Sequence, residues 1–237
     1  MNTTSTTPPP VSLDVTKARF NMVEQQVRPW DVADSAVLDL LASLPREDFV
    51  PEAYRNMAFA DLDTPLTTPA EPGKCMLSPK VQARLLQDAK VKTTDNVLEI
   101  GTGSGYLAAM LGKQARSVRS IEIDGALAAQ ARNNLQRVGI TNVDVVHADA
   151  AAEGFKACEA QAPYDLILLS GSVAEVPADL LALLKVGGRL LGIVGDEPVM
   201  RATLVTRATD TAFTTEQPWD YTAPRLLHFP HPDRFRF

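Results

Sequence analysis

The sequence predicts an α/β fold, a doubly wound, mostly parallel sheet with helices on both faces and an N-terminal helical segment. Two observations carry this prediction. Along residues 79–237, short apolar runs typical of buried parallel strands alternate with helical patterns. After the first run, three glycines stand at alternate positions, Gly101, Gly103 and Gly105. A glycine-rich turn that follows the first strand of an α/β sheet is a place where nucleotides bind.

Helical patterns precede the sheet. A helix is predicted over residues 16–27, with Thr16 as its cap, and it ends before Pro29 because a residue that precedes proline avoids the helical conformation. A second helix is predicted over residues 33–44 and a short one near residues 53–57. The first ten residues, MNTTSTTPPP, are too polar and proline-rich to pack, which predicts a disordered tail.

The elements of the sheet follow at a regular spacing. Strands are predicted at residues 97–100, 117–123, 143–147, 164–169 and 189–194. Helices are predicted over residues 79–90, from Tyr106, from near Gly125 and from Pro177 to Leu184. The pair Gly187-Gly188 is predicted to turn the chain from the last helix into the last strand. This alternation indicates right-handed crossovers and a parallel sheet covered on both faces.

The spacing of the three glycines separates two kinds of nucleotide site. A dinucleotide-binding turn has the pattern G-x-G-x-x-G, and its third glycine would stand at Tyr106. The chain instead has G-x-G-x-G, and the whole run VLEIGTGSGY, residues 97–106, resembles motif I of the S-adenosylmethionine-dependent methyltransferases. The resemblance implies a Rossmann-like class I methyltransferase fold with S-adenosyl-L-methionine as the cofactor. The cofactor-binding residues that it implies are Glu99, Gly101, Thr102, Gly103 and Gly105.

An acidic residue ends the second predicted strand. Glu122 lies roughly 20 residues past the glycines, the distance at which a carboxylate accepts both hydroxyls of a ribose, and Ile123 beside it is predicted to bind the cofactor too. The alternative is that Glu122 caps the next helix. We assign that capping role to Asp124.

A second acidic residue, Asp149, follows the third predicted strand. In the methyltransferases that the chain resembles, an acidic residue here commonly receives the adenine amino group, and the next backbone N–H, here that of Ala150, meets a ring nitrogen. The alternative is a cap of a loop or helix. The position of Asp149 after the third predicted strand favours cofactor binding over the capping role.

Further segments resemble one family of methyltransferases. The residues Arg46-Glu47-x-Phe49-Val50-Pro51, the run AFAD at residues 58–61 and the run TPL at residues 64–66 are similar to the N-terminal signature of the protein-L-isoaspartate O-methyltransferases. The resemblance runs from about Phe20 to Gly195. It implies methylation of the α-carboxylate of isoaspartyl residues, so the expected partners are damaged proteins or peptides.

Composition, the element patterns and this resemblance together predict how the chain is organised. Residues 1–14 form the disordered tail, residues 15–78 are the N-terminal helical segment of the catalytic domain, and residues 79–237 are the S-adenosylmethionine-binding methyltransferase domain. The end of the chain, residues 219–237, matches no pattern of the family, so its role stays open.

One loop departs from the family. Its members have Gly-Gln-Thr-Ile-Ser-x-Pro before the helix that precedes motif I, and the serine is associated with catalysis. The chain has GKCMLSP at residues 73–79, with Leu77 in the place of that serine and a hydroxyl one residue later at Ser78. Ser78 is therefore the candidate catalytic residue, and the alternative is that it caps the helix that starts at Pro79.

Because of this loop, two other functions stay open. One is that of a related methyltransferase with another, small-molecule acceptor. The other is that of a cofactor-binding protein without isoaspartyl activity. A carboxylate acceptor would need no general base because it is ionised at neutral pH. The three histidines, none of which stands in a catalytic motif, agree with such an acceptor.

Composition excludes several other classes of protein. The net charge is −6 and there is no basic block, so nucleic acid is not an expected partner. No apolar stretch approaches the roughly 18 residues that span a membrane. The two cysteines, Cys75 and Cys158, lack the spacing of metal ligands, so no metal site is expected, and with no signal peptide we expect a cytoplasmic location. The oligomeric state is not indicated.

Overall fold

The computed structural model describes residues 14–231, so the predicted tail lies outside the described residues except for Asp14. The α-helices are α1 Val15–Met22, α2 Ser35–Ser43, α3 Pro79–Ala89, α4 Tyr106–Gln114, α5 Gly125–Arg137, α6 Lys156–Glu159 and α7 Ala178–Ala182. The strands are β1 Thr64–Pro65, β2 Cys75–Met76, β3 Asn96–Ile100, β4 Ser117–Glu122, β5 Val143–His147, β6 Tyr164–Val173, β7 Leu184–Asp196, β8 Val199–Arg207 and β9 Phe213–Asp220.

Seven strands form the central sheet in the order β5-β4-β3-β6-β7-β8-β9. Neighbours from β5 to β7 are parallel, whereas β8 and β9 are antiparallel additions at one edge. The order runs outward in both directions from β3 and β6, which confirms the doubly wound, mostly parallel sheet. The carboxyl ends of β3 and β6 form the point at which open α/β sheets bind ligands.

The first helix differs from its prediction at both ends. Its cap is Asp14, whose carboxylate accepts the N–H of Lys17 at 3.0 Å, and not Thr16. After α1 the chain continues in one wider turn over Val23–Val27 and then a 3₁₀ turn over Arg28–Trp30. Asp14, two residues before Thr16, is the cap because its carboxylate reaches a free N–H group at the start of the helix.

The last parallel strand also begins earlier than predicted. β7 starts at Leu184, which pairs with Tyr164, and the next pair is Arg189 with Leu166. Gly187, with φ of +81°, and Gly188 therefore form an irregularity within the strand and not a turn from helix to strand. A bulge lets the strand pair on both sides of the extra residues.

The N-terminal segment packs on one face of the sheet. Buried Met22, Leu41 and Phe49 belong to the same apolar core as Leu85 of α3 and Met110 of α4. The other face has a second core around Tyr164, Ile167 and Phe155. In the part of the chain that the structure describes, no helix combines the length and the apolar character needed to cross a membrane.

Candidate functional site

The glycine-rich turn lies between β3 and α4. Gly101, Gly103 and Gly105 all have positive φ, at +93°, +55° and +87°, a region that other residues rarely adopt. A Cβ atom on Gly101 would lie 2.9 Å from the side chain of Leu226, and one on Gly105 would lie 3.2 Å from Ala131. The turn therefore needs glycine for its backbone conformation and for close packing, and it presents bare backbone to the carboxyl edge of the sheet.

Glu122, at the end of β4, is tied directly to this turn. Its Oε2 accepts the N–H of Gly103 at 2.7 Å, and its Oε1 accepts the N–H of Asp124 at 3.0 Å. Burial raises the pKa of Glu122, and these N–H donors act against that rise. Asp124 caps α5 by accepting the N–H groups of Ala126 and Leu127, so its predicted capping role is confirmed.

Glu99 lies behind the turn and is fully buried. Its two oxygens accept the hydroxyls of Ser120 at 2.6 Å and of Ser170 at 2.9 Å. Burial raises the pKa of Glu99 to about 7, and the nearby charge of Glu122 adds to the rise. Thr102 joins the same network through a 2.6 Å hydrogen bond between its hydroxyl and that of Ser120.

A pocket opens at the carboxyl ends of the central strands, beside the turn. Six of the predicted cofactor residues line it: Gly101, Gly103, Glu122, Ile123, Asp149 and Ala150. The other three, Glu99, Thr102 and Gly105, do not line it. Of these, Glu99 and Thr102 line a small adjoining cavity together with Leu77. Ser170, whose hydroxyl donates to Glu99, lines both the main pocket and this cavity.

Asp149 lines the same pocket and follows β5, two strands from β3 in the sheet. Its Oδ1 accepts the N–H of Ala151 at 3.0 Å, a local bond that matches the capping alternative. Its Oδ2 lies 2.6 Å from Nδ1 of His228. Asp149 thus has a structural bond and still lines the pocket, so the two alternatives are compatible.

Sequence reasoning missed a wall of this pocket, the segment of residues 223–229 that we call the C-terminal strap. The lining residues that it contributes are Pro224, Arg225, Leu226, Leu227 and Phe229. Its backbone is fixed to β6 at Ser172, whose N–H donates to Pro224 at 2.7 Å and whose carbonyl accepts the N–H of Leu226 at 2.9 Å. The available signal was the apolar group of Leu226, Leu227 and Phe229 near the end of the chain.

The sequence matches the family described as protein-L-isoaspartate(D-aspartate) O-methyltransferase (PCMT) over residues 18–220. The chain belongs to this family. A protein-L-isoaspartate O-methyltransferase of Koribacter versatilis (strain Ellin345) is 39% identical over 189 residues, 80% of this chain and 81% of that one. One of Rhodopseudomonas palustris (strain ATCC BAA-98 / CGA009) is 37% identical over 207 residues, 87% of this chain and 91% of that one.

A solved structure has the same fold. A Plasmodium falciparum protein, described as a putative protein-L-isoaspartate O-methyltransferase in complex with S-adenosyl-L-homocysteine, aligns with a TM-score of 0.72 and 18% identity. The alignment covers 91% of this chain and 99% of that one. The resemblance seen in the sequence is thereby confirmed. Since the family transfers methyl groups from S-adenosylmethionine to isoaspartyl residues, this chain is an S-adenosylmethionine-dependent methyltransferase.

The loop in which the chain departs from the family forms another wall of the pocket. Leu77 is buried and lines the pocket, and its carbonyl accepts Nη2 of the buried Arg46 at 2.6 Å. Ser78 is 2% exposed and is not among the residues that line the pocket. Its N–H donates to Asp63 at 2.8 Å, and its hydroxyl makes no capping bond to α3.

Ser78 therefore occupies the first position before α3 without using its side chain as a cap. The phenol of Tyr221, from the end of the chain, donates to the same Asp63 oxygen at 3.0 Å and also contacts Ser78. The structure thus brings Leu77 to the pocket and leaves the Ser78 hydroxyl behind the wall. Its catalytic role stays a prediction.

Lys74 connects this loop to the cofactor side of the pocket. Its Nζ lies 2.7 Å from Asp124 and 2.7 Å from Glu71, and both carboxylates raise its pKa. Asp124 is two residues from Glu122, so the loop contacts the strand end that carries the residue predicted to bind the ribose. No sequence pattern pointed to the ion pair of Lys74 with Asp124, because the two residues are distant in the chain.

Proposed function

We propose that this chain transfers the methyl group of S-adenosylmethionine to the α-carboxylate of isoaspartyl residues in damaged proteins or peptides. The observation that carries the proposal is the hydrogen bond between Gly103 and Glu122, within a chain that matches the family over residues 18–220. This bond connects two features. One is a glycine turn, which a ligand can approach closely, and the other is a carboxylate, which can accept the hydroxyls of a ribose.

The residues of the pocket fit the cofactor. Each carboxylate oxygen has two lone pairs, so Glu122 can accept one backbone N–H per oxygen and still receive the two ribose hydroxyls. Gly101 and Gly103 leave room that a side chain would fill. Asp149 and the N–H of Ala150 would meet the adenine edge, with Ile123 beside them.

The methyl transfer depends little on acid–base groups of the protein. The bound cofactor supplies a methyl group already activated on a positively charged sulfur. The protein must then align an acceptor oxygen with that methyl and keep water away, which is worth many powers of ten in rate. Leu66, Leu77 and Leu226 are among the apolar residues of the pocket that serve this purpose. A carboxylate acceptor arrives ionised and needs no base.

One observation favours a second candidate, a methyltransferase with a different, small-molecule acceptor. Leu77 lines the pocket where the family has its serine, and the Ser78 hydroxyl lies behind the wall. If isoaspartyl carboxylates are the acceptors, backbone N–H groups of the loop or a rearranged Ser78 must orient them. The free thiols of Cys75 and Cys158 support action in a reducing compartment such as the cytoplasm.

The deciding experiment uses radiolabelled S-adenosylmethionine with an isoaspartyl peptide and its normal aspartyl twin. Base-labile label on the isoaspartyl peptide alone supports the proposal. Binding of S-adenosylhomocysteine without label on either peptide would refute the isoaspartyl acceptor and leave the second candidate. Absence of any cofactor binding would refute both.

A further inference from the structure

The C-terminal strap changes character at Leu226. Up to that residue its backbone is hydrogen-bonded to Ser172 of β6. The side chain of Leu226 packs against Gly101 and Gly171, and a Cβ atom on either glycine would lie 2.9 Å from it. Beyond it, Leu227 is 57% exposed, while Phe229 is buried against Phe155 with ring centroids 5.4 Å apart. The strap is therefore held at two places, and His228 lies between two residues that line the pocket, Leu227 and Phe229.

His228 has a costly backbone conformation. Its φ is +63°, in the left-handed region that residues other than glycine seldom adopt. Its ring is mostly exposed, so burial of apolar surface does not explain the conformation. The conformation directs Nδ1 to Oδ2 of Asp149 at 2.6 Å, a contact between residues 79 positions apart. A strained residue whose contact lies at a ligand pocket is a reason to look for a role in binding.

Asp149 is fixed from both sides. The N–H of Ala151 holds Oδ1 at 3.0 Å, and His228 holds Oδ2. A carboxylate with one bond is free to rotate about its terminal torsion, whereas two bonds on opposite oxygens set its plane. The remaining lone pairs then point in fixed directions, which is what recognition of an amino group requires.

We propose that His228 is a positioning residue that orients Asp149 toward the adenine amino group and so gives the cofactor pocket its selectivity for the base. The proposal rests on the proposed cofactor role of Asp149. In it, the C-terminal strap is part of the adenine site.

The test compares two ligands by calorimetry, S-adenosylhomocysteine and S-inosylhomocysteine, in which an oxygen replaces the adenine amino group. We expect His228→Ala to bind S-adenosylhomocysteine about fivefold to tenfold more weakly while its affinity for S-inosylhomocysteine changes little. His231→Ala, which alters an exposed histidine of the same region, is the control and should behave as the wild type.

Two further variants separate the side chain from the backbone. Asparagine tolerates positive φ and carries an N–H donor, so His228→Asn should keep most of the selectivity for adenine. Glycine tolerates the same φ without a donor, so His228→Gly should lose selectivity as His228→Ala does. Wild-type selectivity in His228→Gly, or an equal loss for both ligands in His228→Ala, would overturn the proposal.

The same ligands distinguish this proposal from the function on which it rests. If the wild type selects adenine and Asp149→Asn does not, the role of Asp149 stands, and the His228 variants alone decide the inference. If Asp149→Asn keeps full selectivity, the adenine assignment of Asp149 fails and the inference fails with it. Circular dichroism of each variant checks that the fold is unchanged.

Discussion

Two buried glutamates, Glu99 and Glu122, lie beside the glycine turn in space, and their partners give them different properties. Glu99 accepts serine hydroxyls and is sealed from solvent, whereas Glu122 accepts backbone N–H groups and faces the pocket. A carboxylate held by peptide N–H groups keeps its charge more easily than one held by hydroxyls in an apolar surrounding. Glu122 is therefore suited to receive ribose hydroxyls, and Glu99 is suited to hold a proton near neutral pH.

At this residue scale, Glu122→Ala should weaken binding of S-adenosylhomocysteine by roughly 1.5–3 kcal/mol, because it removes charge-assisted hydrogen bonds. Isothermal titration calorimetry measures the change. The matched control is Glu153→Ala, an exposed glutamate outside the pocket, which should bind as the wild type does. Unchanged affinity in Glu122→Ala would remove this residue from the cofactor site.

Glu99 predicts a pH dependence of folding stability. Its pKa rises from 4.5 to about 7 on folding, so between these values the unfolded chain has lost a proton that the folded chain keeps. The wild type should therefore lose stability relative to Glu99→Gln as the pH rises through this window, by about 3 kcal/mol at most, with no further change above it.

Urea unfolding at pH 4.5 and pH 8 tests this difference. Glu216→Gln, an exposed glutamate of β9, is the control and should follow the wild type at both values. A stability difference between wild type and Glu99→Gln that is the same at both pH values would contradict the raised pKa.

At the scale of elements, the loop from Gly73 to Pro79 carries the difference between this chain and its family. The Arg46 guanidinium binds the carbonyl of Leu77, and Asp63 accepts the N–H of Ser78, so the peptide unit that follows Leu77 is fixed on both its polar groups. A substitution at Leu77 therefore changes the pocket wall and not the course of the loop.

Leu77→Ser should raise methyl transfer to an isoaspartyl peptide, because it returns the family's hydroxyl to the pocket at a fixed place. A gain of about tenfold or more is expected, since displacing a reacting group by about 1 Å costs on the order of a hundredfold. Leu77→Ala is the matched control, because it removes the apolar side chain and adds no hydroxyl. Initial rates with labelled cofactor measure both variants.

Ser78→Ala completes this experiment. A lower rate would support Ser78 as the residue that orients the acceptor, and an unchanged rate would assign that task to the loop backbone. If Leu77→Ser and Leu77→Ala give the same rate as the wild type, the missing hydroxyl does not limit transfer to isoaspartyl peptides.

At the scale of the whole molecule, the N-terminal segment and the last strand of the sheet meet. The rings of Trp30 and Trp219 lie 5.1 Å apart, and Trp219 donates to Asp88 of α3 at 2.7 Å. Lys80 lies over the ring of Trp30. Both tryptophans of the chain thus stand at one junction, which joins residues from the two predicted parts of the molecule.

This junction predicts a single unfolding transition. Since the N-terminal helices share one apolar core with the sheet, tryptophan fluorescence and far-ultraviolet circular dichroism should give coincident urea curves. The two signals differ in origin, because fluorescence reports the junction and dichroism reports all helices. Separate midpoints would show that residues 15–78 and 79–237 unfold as independent units.

The sequence by itself determined the parallel sheet, the glycine turn and the acidic strand end. These features depend on residues close in the chain: the apolar run before Gly101, the alternation of strand and helix, and Glu122 at a fixed distance from the turn. Local backbone conformation and hydrophobic burial decide them, and both leave a pattern in the sequence.

Only the tertiary structure decided which side chains share the pocket. The C-terminal strap, the ion pair of Lys74 with Asp124 and the contact of His228 with Asp149 join positions far apart in the chain. Leu77 and Ser78 are neighbours, yet Leu77 faces the pocket and the Ser78 hydroxyl lies behind its wall, because Arg46 and Asp63 fix the peptide unit between them. Such contacts depend on how the chain returns to the same edge of the sheet, and no local pattern records that return.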